Sequence, residues 1–288
     1  MSKKVLVTGS SGFIGQALIS TQMENVQFFP VSLKDNKIEN IDLEDIQAII
    51  HLAGIAHQLG KADGSVYYTV NRGLTISLAE KAKKAGVTQF IYLSSVKVYG
   101  DNIKEGIILN EHSECHPKDD YGKSKLQAEQ YLQDIEDDKF KVAIVRPPLV
   151  YGKNVKGNLK KLVNLIRRSS ILPFAAIDNS RSMVYLGNLI SLIEVILIKS
   201  ASGIFIAGDE YTHSTSELAL EIKKHSLSKC YFFKIPKPLL ILVRVFFPSA
   251  IQRLFGSFVI DNTHTNKILD FEPPYTFSYG IQEMVNPE

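Results

Sequence analysis

Cysteine is scarce in this chain, and the two present, Cys115 and Cys230, form no CxxC pair. That argues against a disulfide-stapled secreted scaffold and for a reducing compartment, so a cytoplasmic protein is expected. Met1-Ser2-Lys3-Lys4 runs straight into Val5-Leu6-Val7 with no apolar leader segment, which predicts no secretory signal. Long hydrophobic runs are also missing. The most membrane-like stretch, residues 238–248, is interrupted by Arg244 and falls short of the roughly 20 apolar residues a spanning helix needs. It reads as a core or substrate-domain helix, with contact to a membrane surface as the alternative. Charge of one sign is lacking too. A formal net charge of +3 carries no nucleic-acid footprint. The one dense basic patch, Lys156, Lys160, Lys161, Arg167 and Arg168, could equally serve a phosphorylated small substrate or be solvated surface. Internal repeats and low-complexity linkers are absent as well.

What is present is ordinary globular composition, 45% hydrophobic and 22% charged, over 288 residues. That length holds one large domain or a cofactor domain plus a smaller one. Short apolar runs alternate with helical patterns through the first half, the mark of βαβ units and a parallel sheet. Strands are expected at 5–7, 27–31, 48–52, 90–93, 142–145, 182–186 and 203–207. Helices are expected to about residue 22, then at 71–85, 121–136, 159–168 and 190–198. The fold class expected is α/β: a Rossmann-type doubly wound parallel sheet with a smaller α+β substrate-binding domain. Residues 1–150 plus about 187–208 would bind the dinucleotide, and 151–186 plus 209–288 the substrate.

Three motifs carry chemistry. Thr8-Gly9-Ser10-Ser11-Gly12-Phe13-Ile14-Gly15 follows a strand and opens a helix. Gly9 permits the tight turn, Gly12 lets the backbone approach a pyrophosphate, and Gly15 allows close helix–sheet packing. The helix N-terminus supplies N–H groups and a positive dipole end to the phosphates. The second strand ends in Pro30-Val31-Ser32-Leu33-Lys34, with no acid before Asp35 to take a ribose 2′-hydroxyl. Ser32 and Lys34 suit a 2′-phosphate, which favours NADPH over NAD; the alternative is a solvated Lys34 with Asp35 at work. Finally, Tyr121 and Lys125 lie four apart on one helical face. The ammonium is expected to lower the phenol's pKa and to hold the nicotinamide ribose. Ser95, ending the preceding strand, can hydrogen-bond a carbonyl oxygen beside Tyr121; its plainer reading is a capping serine. The segment Glu111-His112-Ser113-Glu114-Cys115-His116 has metal-ligand composition but irregular spacing and no scaffold on either side. It reads as a polar loop, and no metal is expected.

Over nearly the whole chain these motifs resemble the extended short-chain dehydrogenases, the nucleotide-sugar epimerase/dehydratase/reductase family. His51-Leu52-Ala53-Gly54, Val70-Asn71, Ser94-Ser95-Val96-Lys97-Val98-Tyr99-Gly100, Arg146-Pro147 and Val150-Tyr151-Gly152 match its pattern. So does the C-terminal segment 261–273. The resemblance implies cofactor contacts from Ser11, Phe13, Ile14, Leu52, Ala53, Gly54, Asn71, Ser94 and Pro147. It places Asn158 and Arg181 on a nucleoside diphosphate, with Arg253 as a second such ligand and Lys97 and His57 as candidate substrate contacts. Arg181 lies in Arg181-Ser182-Met183-Val184-Tyr185, where the family has Arg-Asp-Phe-Val-His. The sugar dehydratases carry an Asp-Glu pair where this chain has Val96 and Lys97, so dehydration lacks its acid and base. The acid with which epimerases grip NAD is missing after the second strand.

The subgroup most resembled is the 4-ketoreductases of capsule and O-antigen synthesis. Leu254-Phe255-Gly256-Ser257 agrees with it. It implies reduction of a UDP-2-acetamido-2,6-dideoxy-4-hexulose, a UDP-activated amino sugar as partner, and by analogy a homodimer. A UDP-N-acetylhexosamine 4-epimerase with bound NAD and a non-catalytic NADP sensor stay open as alternatives.

Overall fold

A computed structural model describes residues 2–34, 37–56, 64–100, 106–236 and 256–286. Strands β1 (Lys3–Thr8), β2 (Val26–Val31), β3 (Ala48–His51) and β4 (Gln89–Leu93) precede the two-residue β5 (Ile108–Leu109) and then β6 (Lys141–Arg146). Short β7 (Leu149–Tyr151), β8 (Ile171–Leu172) and β9 (Met183–Tyr185) lead to β10 (Gly203–Ile206), β11 (Tyr231–Phe232) and β12 (Val259–Ile260). Six of these make one parallel sheet in the order β10-β6-β4-β3-β1-β2. The doubly wound α/β expectation holds.

The central strands are apolar on both faces because helices cover both. One face of β1, β3, β4 and β6 (Val5, Val7, Ile50, Ile91, Val145) packs with Leu18, Leu189, Ile193 and Leu197. The other (Leu6, Ile49, Phe90, Ile144) packs with Leu78, Ala82, Ala128 and Leu132. Among the described residues, strand β2 is the sheet's edge and pairs only with β1. An edge tolerates Pro30, which has no N–H to give a neighbour. The usual dinucleotide-binding order would put another strand outside β2. Here the described part of that connection forms one tight turn at Ile38–Asn40 and buries Ile38, Ile41, Leu43 and Ile46 on the way to β3.

The strand order reverses between β1 and β3, which opens the ligand crevice at their C-terminal ends. Thr8 is level with both Val31 and His51, so Gly9, Ser32 and Leu52 leave the sheet together. Two elements depart from the periodicity. The expected helix at 71–85 is a π-helix over Tyr68–Leu74 that becomes α-helical at Thr75–Lys84. The helix expected at 190–198 begins earlier, as Leu186–Lys199, because Asn188 turns inward to Asp209 and Tyr275 instead of breaking it. No helix among the described residues is long and apolar enough to cross a membrane. Asp35, His57, Arg253, the 238–248 segment, Leu254 and Phe255 lie outside the described residues.

The Tyr121 helix, Asp120–Asp134, is fastened to the sheet by a buried ion pair. Arg146, at the end of β6, reaches Glu129 through Nε (3.1 Å to Oε1) and Nη2 (2.5 Å to Oε2). Its Nη1 donates to the Tyr99 hydroxyl at 2.9 Å. Side-chain exposures of 3% and 0% mean neither charge has recourse to water. Glu129→Ala should therefore cost about 3–5 kcal/mol in urea unfolding, the typical loss when one partner of a buried pair is removed. A cost below about 1 kcal/mol would show that the pair does not hold the helix.

Candidate active site

The site is assembled from three strand ends and two helices. Gly9 has φ +70°, and a Cβ there would stand 2.6 Å from Ala53 N and 2.7 Å from Leu52 C. Only glycine lets the β1 turn lie against the backbone that leaves β3. Gly12 begins the Phe13–Ser20 helix with no side-chain cap, so the N–H groups of Phe13, Ile14 and Gly15 face the turn without an intrahelical acceptor. Gly15 packs on the turn itself, where a Cβ would meet Ser10 Cα at 2.7 Å, and not on the sheet as its spacing suggested. Ser11 and Gly12 are exposed at the mouth. This side-chain-free cradle fits a pyrophosphate.

Ser94 is buried, and its Oγ has no partner among the described residues, which suits a hydroxyl kept for a ligand. Pro147 is buried one residue beyond β6, and its carbonyl accepts from Val96 N at 3.1 Å. Ser32 and Lys34 are both exposed past the end of β2, and Lys34 N donates to Ser32 Oγ at 3.3 Å.

At the other end of the cleft, Ser95 lies beside the Tyr121 phenol. It also caps the turn Val96–Tyr99 by accepting from Lys97 N at 3.2 Å. The capping reading of this serine therefore holds. Burial pushes the phenol above its ordinary value; Ser95 pulls it down, and Asp119 and Tyr67 push it up again. Lys125 is not among the groups that shift the Tyr121 phenol here, for its ammonium is turned elsewhere. Four residues of helix separate the two by about 6 Å of rise, and Lys125 sinks toward the sheet. It donates to Leu93 O at 2.8 Å and lies over the Tyr92 ring, 4.6 Å from its centroid. Burial brings its own pKa down to about 8, with Glu129 opposing the fall. Gly54 closes over it: a Cβ there would stand 3.2 Å from Lys125 Nζ.

Asn71 is placed as scaffold. Its amide accepts from Ile55 N (2.8 Å) and donates to Ile55 O (3.0 Å) and Ser124 Oγ (3.2 Å). These bonds tie the loop after β3 to the Tyr121 helix.

A second set of positioning residues escaped the sequence reading. Thr75 Oγ1 donates to Asn71 O at 2.7 Å, so its oxygen accepts from His51 Nε2 at 2.9 Å. That tautomer leaves His51 Nδ1 to accept from Thr8 Oγ1 at 2.7 Å, while Thr8 accepts from Ala53 N at 3.3 Å. Burial, aided by the Lys125 charge, holds His51 neutral with its pKa down to about 3. One directed chain thus runs from the cradle to the π-helix. Tyr67, edge-on to Tyr121 at 6.1 Å between centroids, was also unforeseen.

The diphosphate candidates lie on other elements. Asn158 is exposed in the first turn of the Gly157–Arg168 helix. Arg181 is half-buried, its backbone bridged to His213 and Phe258, and burial lowers its pKa. Lys97 is half-buried beside Ser95, whereas Val96 points into an apolar cluster with Val98, Tyr99 and Leu109.

Lys125 supplies a pH test. Its folded pKa is below its unfolded one, so folding is penalised while the unfolded chain holds the extra proton. The penalty should lift as pH rises from about 8 toward 10.5. Against Lys125→Met, the wild type should gain about 3 kcal/mol of relative stability between pH 7 and pH 10.5. A constant difference across that window would mean that the ammonium is not desolvated.

Residues 5–208 match the NAD dependent epimerase/dehydratase family. The chain is 30% identical to a UDP-glucose 4-epimerase of Vibrio cholerae, covering 98% of itself and 94% of that protein. It is 26% identical to an N-acetyl-alpha-D-glucosaminyl-diphospho-ditrans,octacis-undecaprenol 4-epimerase of Escherichia coli O157:H7, over 100% of this chain and 96% of the other. In fold it is similar to RMD from Pseudomonas aeruginosa complexed with NADPH, at a TM-score of 0.79, 19% identity and 98% of both chains. The cradle, the Ser95–Tyr121 contact and the full-length match thus agree with the resemblance drawn from the motifs: the chain belongs to the NAD dependent epimerase/dehydratase family, the extended short-chain dehydrogenases that work with a nicotinamide cofactor.

Proposed function

We propose that the protein uses NADPH to reduce the C4 ketone of a UDP-2-acetamido-2,6-dideoxy-4-hexulose, giving UDP-N-acetylfucosamine or UDP-N-acetylquinovosamine for surface polysaccharide. The observation that carries this reading is the end of β2, which exposes Ser32 and Lys34. The exposed Ser32 and Lys34 past β2, with no acid between residues 30 and 34, favour the 2′-phosphate of NADPH. Val96, buried in hydrocarbon, stands where dehydration would need an acid.

Bound NADPH supplies the hydride for C4, and the chain's residues orient the reactants and move the proton. Ser95 polarises the ketone oxygen beside Tyr121, and Tyr121 gives its proton to that oxygen as charge develops on it. Lys125 holds a positive charge at the cleft floor, where it would meet the nicotinamide ribose. Arg181 and Asn158 would hold the diphosphate; a guanidinium fork suits phosphate oxygens. In this scheme residues 1–150 and 187–208 bind the dinucleotide, and 151–186 with 209–288 bind the sugar nucleotide.

A second reading, UDP-N-acetylhexosamine 4-epimerase with retained NAD, draws support from the full-length similarity to two 4-epimerases. There Tyr121 would first have to accept a proton. The two readings separate in one assay. Purified protein mixed with UDP-4-keto-6-deoxy-N-acetylglucosamine should consume added NADPH faster than NADH, with the product's C4 configuration read by NMR. Tyr121→Phe should lower kcat by about 10²–10⁴ with little change in NADPH affinity. Interconversion of UDP-N-acetylglucosamine and UDP-N-acetylgalactosamine without added cofactor, and no NADPH consumption, would replace the reductase by the epimerase.

A further inference from the structure

Outside the cleft, one cluster of side chains has no role in the chemistry above. Glu111 follows β5, and β5 pairs in parallel with β12, so Leu109 is level with Ile260. The chain beyond β12 turns into the Thr263–Leu269 helix and brings His264 back to Glu111. Oε1 of Glu111 stands 3.5 Å from His112 Nε2 and 3.4 Å from His264 Nε2. One ligand atom from each of the three residues can be chosen so that all lie within 4.8 Å of one another.

Three features separate this cluster from a surface ion pair. Glu111 is only 8% exposed, and its Oε2 has no hydrogen-bond partner among the described residues. A carboxylate oxygen is rarely left so, because desolvating it without a partner costs free energy. Second, a charge-assisted N–H···O bond closes to about 2.7–2.9 Å. Two ligands of a tetrahedral zinc ion, each at about 2.0–2.1 Å, stand about 3.4 Å apart. The two separations from Glu111 match the second geometry. Third, the scaffold is firm. Asn110 N donates to Ser113 Oγ at 2.9 Å, His112 N to Asn110 Oδ1 at 3.0 Å, and Asp261 N to Leu109 O at 2.7 Å. Beneath lies the apolar cluster of Val98, Tyr99, Leu109, Ile206 and Ile260.

We propose that Glu111, His112 and His264 bind a divalent transition metal of the zinc class, which clips the C-terminal segment to the loop after β5. Two imidazoles with one carboxylate suit such an ion better than magnesium or calcium, which prefer all-oxygen shells. Both histidines are exposed, so a fourth position faces water. This revises the reading of the 111–116 segment as a plain polar loop. The missing ligand comes from far along the chain, while His116 pairs with Glu114 at 2.9 Å and takes no part. The site is separate from the proposed reductase chemistry, which needs no metal.

The test uses tag-free protein stripped with a chelator and titrated with zinc sulfate by calorimetry, with cobalt(II) as an optical probe. Wild type should take up a single zinc ion per chain, melt several degrees higher with zinc, and give visible cobalt bands of a low-coordinate N/O site. His264→Ala and Glu111→Gln should each weaken zinc binding at least tenfold and abolish the rise in Tm, whereas His116→Ala should bind as wild type does. His264 is exposed, so its variant should keep the wild-type circular dichroism and remains a fair test if Glu111→Gln does not fold. Absence of stoichiometric binding, or binding unchanged in His264→Ala, would overturn the site.

Discussion

A guanidinium and a carboxylate sealed between the Tyr121 helix and β6 govern the geometry of everything nearby. Such a pair gains little net stability, since desolvation cancels much of its attraction. What it gives is direction. Arg146 has a planar fork, and Glu129 accepts on both oxygens, so the helix cannot slide or rotate without stranding a charge. Glu129, Lys125 and Tyr121 recur at intervals of four on that helix, and fixing the first fixes the other two. The same guanidinium holds the Tyr99 hydroxyl, which donates to Asn110 O at 2.8 Å, one residue before Glu111. The cleft and the proposed metal site therefore share one anchor.

From that anchor follows the division of labour between Tyr121 and Lys125. Sequence spacing made the lysine the tuner of the tyrosine. In the folded chain the ammonium is spent on Leu93 O and the Tyr92 ring, and the phenol answers to burial and Ser95 instead. A charge that does not touch the phenol can still act at the cleft floor, where Gly54, lacking a side chain, lets the ammonium lie close beneath the backbone. Lys125 is then best understood as a fixed positive charge beneath the ligand crevice, kept partly titratable by its own desolvation.

Much of this was legible in the sequence because it is local. Apolar runs marked the buried parallel strands, the Gly9–Gly15 spacing marked the turn, and the four-residue interval of Tyr121 and Lys125 marked a shared helix face. Features that depend on distant partners were not legible. Nothing in residues 68–74 announces a π-helix; its Asn71 carbonyl accepts from the Thr75 hydroxyl and from that of Tyr92, which β4 brings alongside. His51 looked like one letter of a motif until Thr8 and Thr75 were brought to its two nitrogens. Glu111 and His112 looked like a loop because the third histidine lies past β12, and only the β5–β12 pairing brings it back.

The reductase and epimerase readings place the same atoms around C4, so Tyr121, Ser95 and Lys125 cannot by themselves choose between them. What separates the two is whether the dinucleotide leaves after each turnover, and that depends on the far end of the crevice. There β2 is the sheet's edge, its end carries Ser32 and Lys34 in the open, and the described part of the connection onward makes one short turn at Ile38–Asn40. An edge with an ammonium and no carboxylate between residues 30 and 34 attracts a phosphate by long-range charge and makes no bidentate grip on a ribose. Attraction of that kind favours a cofactor that exchanges. A tightly retained NAD would need its hold elsewhere in the cradle, from the Gly9 turn, the uncapped helix start at Gly12 or the buried hydroxyl of Ser94.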